Sequence, residues 1–337
     1  MNEMTTRQRF QALMNFQPFD RLPVVEWAQW WEETIERWYG EGLPSSITDR
    51  YEICKYLELD IYKQDWFPEC TEDCPQPAHH GAAIMKTEKD YEALKKYLYP
   101  LPAVDRKQWA QWAGEQARGD IVIWFTVVGF FWFPRTLFGI EEHLYAFYDQ
   151  PKLMHRMNED LMQWILTIID EISEFCAPDF MTFAEDMSYN HGPMISKDLY
   201  DEFMKPYYKE VVPALKKLGV MPIIDSDGDI TDPADWFEED GLEGILPLER
   251  QAGVDIAKLR EDHPGMKFIG HFDKMTMDKG EAAMRAEFER LLPTVAKGGY
   301  LVGCDHQTPP GVSFKDYKLF LSLFREYADK AGKMSEK

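Results

Sequence analysis

The chain has 337 residues, 45% of them hydrophobic, enough to bury the core of one large α/β domain or two smaller ones. Its 37 Lys and Arg face 59 Asp and Glu, and the resulting net charge of −22 repels nucleic acid and anionic membrane surfaces, so both are set aside as partners. No window approaches the roughly 20 apolar residues of a membrane span, and the N-terminal "MNEMTTRQRF" lacks the apolar core of a signal peptide. The scattered Cys54, Cys70, Cys74, Cys176 and Cys304 suit free thiols or metal ligands in a reducing compartment, so a cytoplasmic protein is expected.

Residues 1–20 form an N-terminal extension with a short helix in "TTRQRFQALMNF". Eight apolar runs follow, each closing on polar or small residues in the manner of buried strands: "LPVVEW" near Glu26, "LDIYKQDW" near Gln64, "DIVIWFTVVG" near Gly129, "DFMTFAED" at Glu185 and Asp186, "VMPIIDSDGD" at Asp225 to Asp229, "GILPLE" at Glu249, "KFIGHFD" at His271 and Asp273, and "YLVGCDH" at Cys304 to His306. Helical patterns separate them. Ser196 can cap a helix whose stripe is Phe203, Tyr207, Val211, Leu215 and Leu218 and which Gly219 stops. Ser313 with Asp316 makes a capping-box pattern ahead of the last helix, and Gly298 and Gly299 close the helix before strand eight. Eight strands alternating with helices predict a single (β/α)8 TIM barrel over residues 21–332, with a polar tail at 333–337.

In such a barrel the C-terminal strand ends converge on the catalytic face, and five of these eight ends carry carboxylates, His or Cys. Any one such group fits a solvated turn; their recurrence at one face points to a site. Glu185 and Asp186 are adjacent on one strand and so face opposite ways, one toward the site. Asp225 and Asp227 follow strand five, and Asp305 and His306 follow strand eight, His306 as a proton-handling candidate. Trp27, Trp30, Trp31, Trp66 and Phe67 follow strands one and two, where they wall a flat pocket or belong to a helix packed over the barrel mouth. Glu26 and Tyr189 join Trp27, Trp30, Trp66 and Asp305 as substrate-contact candidates. A separate metal candidate is "CTEDCPQPAHH", with Cys70 and Cys74 four apart and His79 or His80 as a third donor.

The stretches "TTRQRFQALMNFQPFDRLPVVEW", "EDMSYNHGPMISKDLYDEFMKPYYKEV", "IIDSDGDI", "PLERQAGVDI", "GHFDK" and "GCDHQTPPGVSF" together resemble the uroporphyrinogen decarboxylase superfamily, from about residue 5 to the last helix. The resemblance implies a (β/α)8 barrel and one of two chemistries, decarboxylation or corrinoid-linked methyl transfer. The arginine-rich signature of the true decarboxylases would fall in "VVEWAQWWEETIERW", where Glu26, Glu32 and Glu33 stand instead and would repel a polycarboxylate substrate. In the zinc-dependent methyltransferases of the superfamily, a His-x-Cys-Gly element after strand five and a Cys near the end of strand eight hold the metal. Here Asp225 and Asp227 occupy the first two places, and Cys304 lies near the third.

The demethylating branch implies removal of a methyl group from a small methoxylated or methylated compound to a Co(I) corrinoid carried by a partner protein. A motif for binding cobalamin directly is not seen in the chain, which points to such a partner. A zinc ion on Glu249, His271 and Cys304, at the ends of strands six to eight, would activate the leaving oxygen, with Asp227 or Asp305 beside it. The expected function is a methyltransferase component. A decarboxylase of a small carboxylated substrate and a non-catalytic barrel that binds a small ligand or a corrinoid protein are the alternatives. A homo-oligomer is compatible with all three.

Overall fold

The computed structural model of the protein describes residues 3–335. Residues 1 and 2 of the N-terminal extension, and residues 336 and 337 of the tail, lie outside the described residues. The strands are β1 (Ile61–Trp66), β2 (Ile121–Val128), β3 (Phe180–Ala184), β4 (Ser188–Tyr189), β5 (Gly192–Pro193), β6 (Met221–Asp225), β7 (Gly244–Leu246), β8 (Lys267–Phe272) and β9 (Tyr300–Cys304). Apart from the two-residue β4 and β5, they alternate with helices and match seven of the eight predicted strands in order. The class is α/β with the alternation of a TIM barrel.

The first predicted strand, Leu22–Trp27, is absent. Pro23 has no N–H to give a ladder, and the Val24 N–H goes to the Asp60 side chain at 2.8 Å instead of to a neighbouring carbonyl. One backbone bond remains on that side, from Asp60 N–H to Val24 O at 2.9 Å. Eight-strand closure therefore lacks its first strand among the described residues.

The chain divides into two compact units, each built from separate stretches. The first holds the residues up to Lys63, Gly114–Ile123 and everything from Gly244 onward; the second holds Gln64–Ala113 and Trp124–Glu243.

In the first unit β7, β8 and β9 pair in parallel, with His271 opposite Gly303 and Phe272 opposite Cys304. Phe272 meets Phe288 and Phe320 from the two helices Glu281–Val295 and Phe314–Ser335, at ring separations of 4.7 and 4.9 Å. The last helix runs three residues into the segment read as a tail. At the other end of the chain, helix Thr6–Met14 starts with a capping box between Thr5 and Gln8. Its buried Arg9 binds Asp20 at 2.8 Å and Asp60 at 3.1 Å, and Arg21 reaches Asp60 at 2.7 Å, so the buried carboxylate of Asp60 is held by two guanidinium groups. Leu22 N–H donates to Ala328 O at 3.2 Å, which ties the start of the chain to the final helix.

In the second unit β2, β3 and β6 pair in parallel, with Trp124 opposite Phe180 and Ala184 opposite Asp225. β2 is buried along its whole length, as parallel strands covered on both faces are. The long helix Pro151–Ser173 packs on Lys205–Leu218, and its buried Asn158 donates to Phe130 O and Phe203 O at 3.0 and 2.8 Å. The predicted helix after Ser196 has the expected cap and the expected left-handed stop at Gly219, yet it is two helices, Lys197–Phe203 and Lys205–Leu218. The break falls at Met204 because Pro206 has no N–H to continue the ladder and crowds the preceding turn. Among the described residues no helix is long and apolar enough to cross a membrane.

Candidate active site

In the second unit, β3 and β6 end side by side, and the amides of Glu185 and Asp186 both point to Asp225 O, at 2.8 and 3.4 Å. The two adjacent acids then separate. Glu185 is fully buried and accepts hydrogen bonds from the backbone N–H groups of Phe130 and Phe131 at 2.8 Å, from Trp132 at 3.1 Å, and from the Tyr208 hydroxyl. Burial pushes its carboxyl up to about 7 against the pull of those four donors. A Cβ on Gly129 would overlap this carboxyl group, so the glycine is what lets it in. Its four donors engage Glu185 in holding the turn after β2.

Asp186 turns the other way, at φ 35°, a left-handed conformation costly for a residue with a Cβ. Its Oδ1 accepts from Asp227 N–H at 3.0 Å. Asp225 is half-buried beside them, and burial followed by the charges of Asp186 and Asp227 raises its pKa well above the usual carboxylate range. Asp225, Asp227 and Asp186 thus stand close together at the ends of β3 and β6. The turn carrying them rests on the β4–β5 hairpin, with Asp229 N–H donating to Tyr189 O at 2.9 Å and Gly228, at φ 86°, close against the Ser188 backbone. The Tyr189 side chain is exposed on this hairpin.

In the first unit, the three predicted metal ligands do not converge. His271 opposes Gly303 and Cys304 opposes Phe272, a register offset of one residue that sends the two side chains to opposite faces of the sheet. The His271 Nδ1–H donates to Leu248 O at 2.7 Å, and Nε2 accepts from Arg290 at 3.3 Å. Burial lowers His271 to about 4, so the ring is neutral with both nitrogens occupied. The Cys304 thiol contacts Met277 Sδ at 3.5 Å and Thr308 Oγ1 at 3.7 Å, and burial raises it well above the ordinary thiol range. Glu249, half-buried, precedes the short helix Arg250–Ala252. Among the described residues no group of three His, Cys, Asp or Glu is arranged to hold a metal, and this trio does not fit zinc. His271→Ala is expected to destabilise the protein by about 1–2 kcal/mol through lost hydrogen bonds and to leave the metal content of the purified protein unchanged. A drop in metal content would restore His271 as a ligand.

Asp305, Glu26, Trp27 and Trp30 of this unit are internal. Asp305 is fully buried, paired with Lys274 at 3.2 Å and accepting from the N–H groups of Arg250 and Lys274 at 3.2 and 3.3 Å, so it ties two loops together. His306 is half-buried next to it. Glu26 is buried, takes a 2.8 Å bond from the Tyr317 hydroxyl and a 3.5 Å bond from Thr308, and is pushed up to about 7 by burial. Trp27 donates to Cys304 O at 2.8 Å, and Trp30 is enclosed by Trp38 and Tyr317. Both are core residues, which corrects their assignment to a substrate wall; Trp66, at the end of β1, keeps an exposed face.

Sequence reasoning passed over Arg135, Tyr208 and Tyr317. Arg135 had a visible signal as the only charge in the apolar run "GFFWFPRTLFG" just after β2. Tyr208 and Tyr317 had none, since each matters through a carboxylate distant in sequence.

Residues 127–327 match the uroporphyrinogen decarboxylase (URO-D) family, more than half of the chain. The protein belongs to that family. Among solved structures, the chain is similar to a methyltransferase from Methanosarcina mazei, with a TM-score of 0.64, 15% identity, and coverage of 96% of this chain and 99% of that one. It also aligns with a B12-independent methionine synthase from a Shewanella species, at a TM-score of 0.42 and 13% identity over 66% of this chain and 64% of that one. The first likeness gives the fold, a TIM-barrel-like α/β fold along nearly the whole chain. No curated protein matches the sequence.

Proposed function

We propose that the protein is a methyltransferase component that removes a methyl group from a small methoxylated or methylated compound, with a Co(I) corrinoid on a partner protein as acceptor. The observation carrying this reading is Asp225, a carboxyl at a strand end whose burial, together with the charges of its neighbours Asp186 and Asp227, favours its protonated form. An ether is a poor methyl donor because its oxygen leaves as an unstable anion; a neutral acid beside that oxygen supplies the proton as the C–O bond breaks. Asp225 is suited to give it, and Asp186 and Asp227 favour its recovery of a proton from solvent afterwards. The corrinoid would supply the nucleophile that takes the methyl group. The fold shared with a solved methyltransferase supports the reading, and the acidic strand ends suit it better than the decarboxylation of a polycarboxylate.

The test is methyl transfer from a methoxylated aromatic to cob(I)alamin, followed by the loss of Co(I) absorbance. Asp225→Asn should slow transfer from the ether by about 100-fold and leave transfer from a quaternary ammonium donor unchanged, because a neutral amine departs without a proton. The ether rate should fall as pH rises through the raised pKa of Asp225. Equal ether rates for wild type and Asp225→Asn would sink the assignment.

A further inference from the structure

In the second unit a cavity of about 290 Å³ lies between the loop of residues 69–84 and helix Trp132–Phe138. The backbone fixes its walls. Ile140 N–H donates to Gly81 O at 3.0 Å, while Ile84 and Met85 donate to Leu137 O at 2.9 and 3.1 Å. Gly139, at φ 78°, permits this approach, because a Cβ there would stand 2.6 Å from Gly81 O. The lining is mainly apolar, with Ile84, Leu98, Leu137, Ile140 and the Trp132 indole.

One cation faces this lining. The Arg135 guanidinium lies over the Trp132 ring, 4.7 Å from its centre, and its polar contacts are the Asp186 carbonyl at 3.4 Å and the Met194 sulfur at 3.7 Å. Both contacts are long and uncharged, and among the described residues Arg135 forms no ion pair; the Asp186 carboxylate attracts it only from a distance. A half-buried guanidinium with five donors and so few acceptors is a receptor for a planar anion. Of the other ionisable groups at the lining, burial raises Glu69 above its ordinary range, Cys70 up to about 12, and Cys74 likewise upward, so both thiols are uncharged at neutral pH, and His80 stands at the same wall.

We infer that this cavity binds a small, mostly apolar carboxylate of about the size of a methoxybenzoate, its two oxygens on Arg135 and its body against Trp132 and the aliphatic wall. The binding claim stands on the cavity itself. That the ligand is also the methyl donor, which would make the substrate a methoxylated carboxylic acid, rests on the methyl-transfer reading above.

Calorimetry on the full chain with benzoate, phenylacetate and 4-methoxybenzoate, against 4-methoxybenzamide, tests the inference. At least one carboxylate should bind saturably, and 4-methoxybenzamide should bind about 10-fold more weakly or worse. Arg135→Gln should weaken the carboxylate by about 10- to 100-fold without changing the amide, and Arg135→Lys should restore part of the loss. Ile140→Trp, which fills the cavity from an exposed position, should abolish binding while preserving the unfolding curve. Absence of saturable binding for all three carboxylates, equal affinity for the amide, or an indifferent Arg135→Gln would each overturn the inference. Carboxylate binding without methyl transfer sustains it and counts against the proposed function; methyl transfer from a neutral ether without carboxylate binding does the reverse.

Discussion

At pH 8, where the Glu185 carboxyl raised to about 7 is ionised, Glu185→Gln is expected to lower the unfolding free energy by about 3–5 kcal/mol. The carboxylate receives four donors, three of them consecutive backbone amides from Phe130 to Trp132. A glutamine keeps one oxygen and replaces the other with an NH2 group that faces donors, so at least one buried N–H loses its acceptor and a donor is driven against a donor. Each unsatisfied group costs about 1–3 kcal/mol. Gly129→Ala should damage the protein comparably, because the added methyl takes the space of the same carboxyl group. Urea denaturation followed by circular dichroism measures both. A loss below about 1 kcal/mol for Glu185→Gln would show that the carboxylate is free for chemistry after all.

Glu26→Gln should have the opposite sign, and only at high pH. Burial raises Glu26 from 4.5 to about 7, so between those values the folded protein holds a proton that the unfolded chain has released. The contribution is therefore complete below pH 4.5 and is lost as pH rises through 7, a swing of about 3 kcal/mol. Glutamine mimics the protonated form and still accepts from Tyr317 and Thr308. The variant should equal wild type near pH 5 and exceed it in stability at pH 8. Denaturation curves at the two pH values decide this, and a stability difference independent of pH would mean that Glu26 is ionised in the fold.

Where the fold was legible in the sequence, the signal was local. Apolar runs located seven strands, and Ser196 and Gly219 located the ends of a helical segment, because each depends on neighbours a few residues away. The first strand was misread since Leu22–Trp27 has the composition of a strand, whereas its pairing is decided by Pro23 and by the distant Asp60. The site divides in the same way. Asp225 and Asp227 were visible as acids closing an apolar run, but which of Glu185 and Asp186 turns inward depends on the amides after Gly129. His271 and Cys304 were placed together because they end adjacent strands; the one-residue register that parts them is written in no local pattern. Arg135 carries a local signal as a lone cation in an apolar run, but the cavity it faces is completed by residues 69–84, distant in sequence.

The bond from Leu22 to Ala328 has a bearing on how the protein is made. Phe19 also meets Ser335, and the absence of a side chain at Gly332 lets the Asp20 backbone come close, so this segment is secured by helix Phe314–Ser335, which is synthesised well after it. On the ribosome, the second unit has its full sequence once Glu243 has emerged, while the first waits for the stretch from Gly244 onward, more than half of its residues. A nascent chain stalled before Phe314 would carry the leading segment without its final-helix partners. That interval is when a chaperone that captures extended apolar segments would find its target in "RLPVVEW".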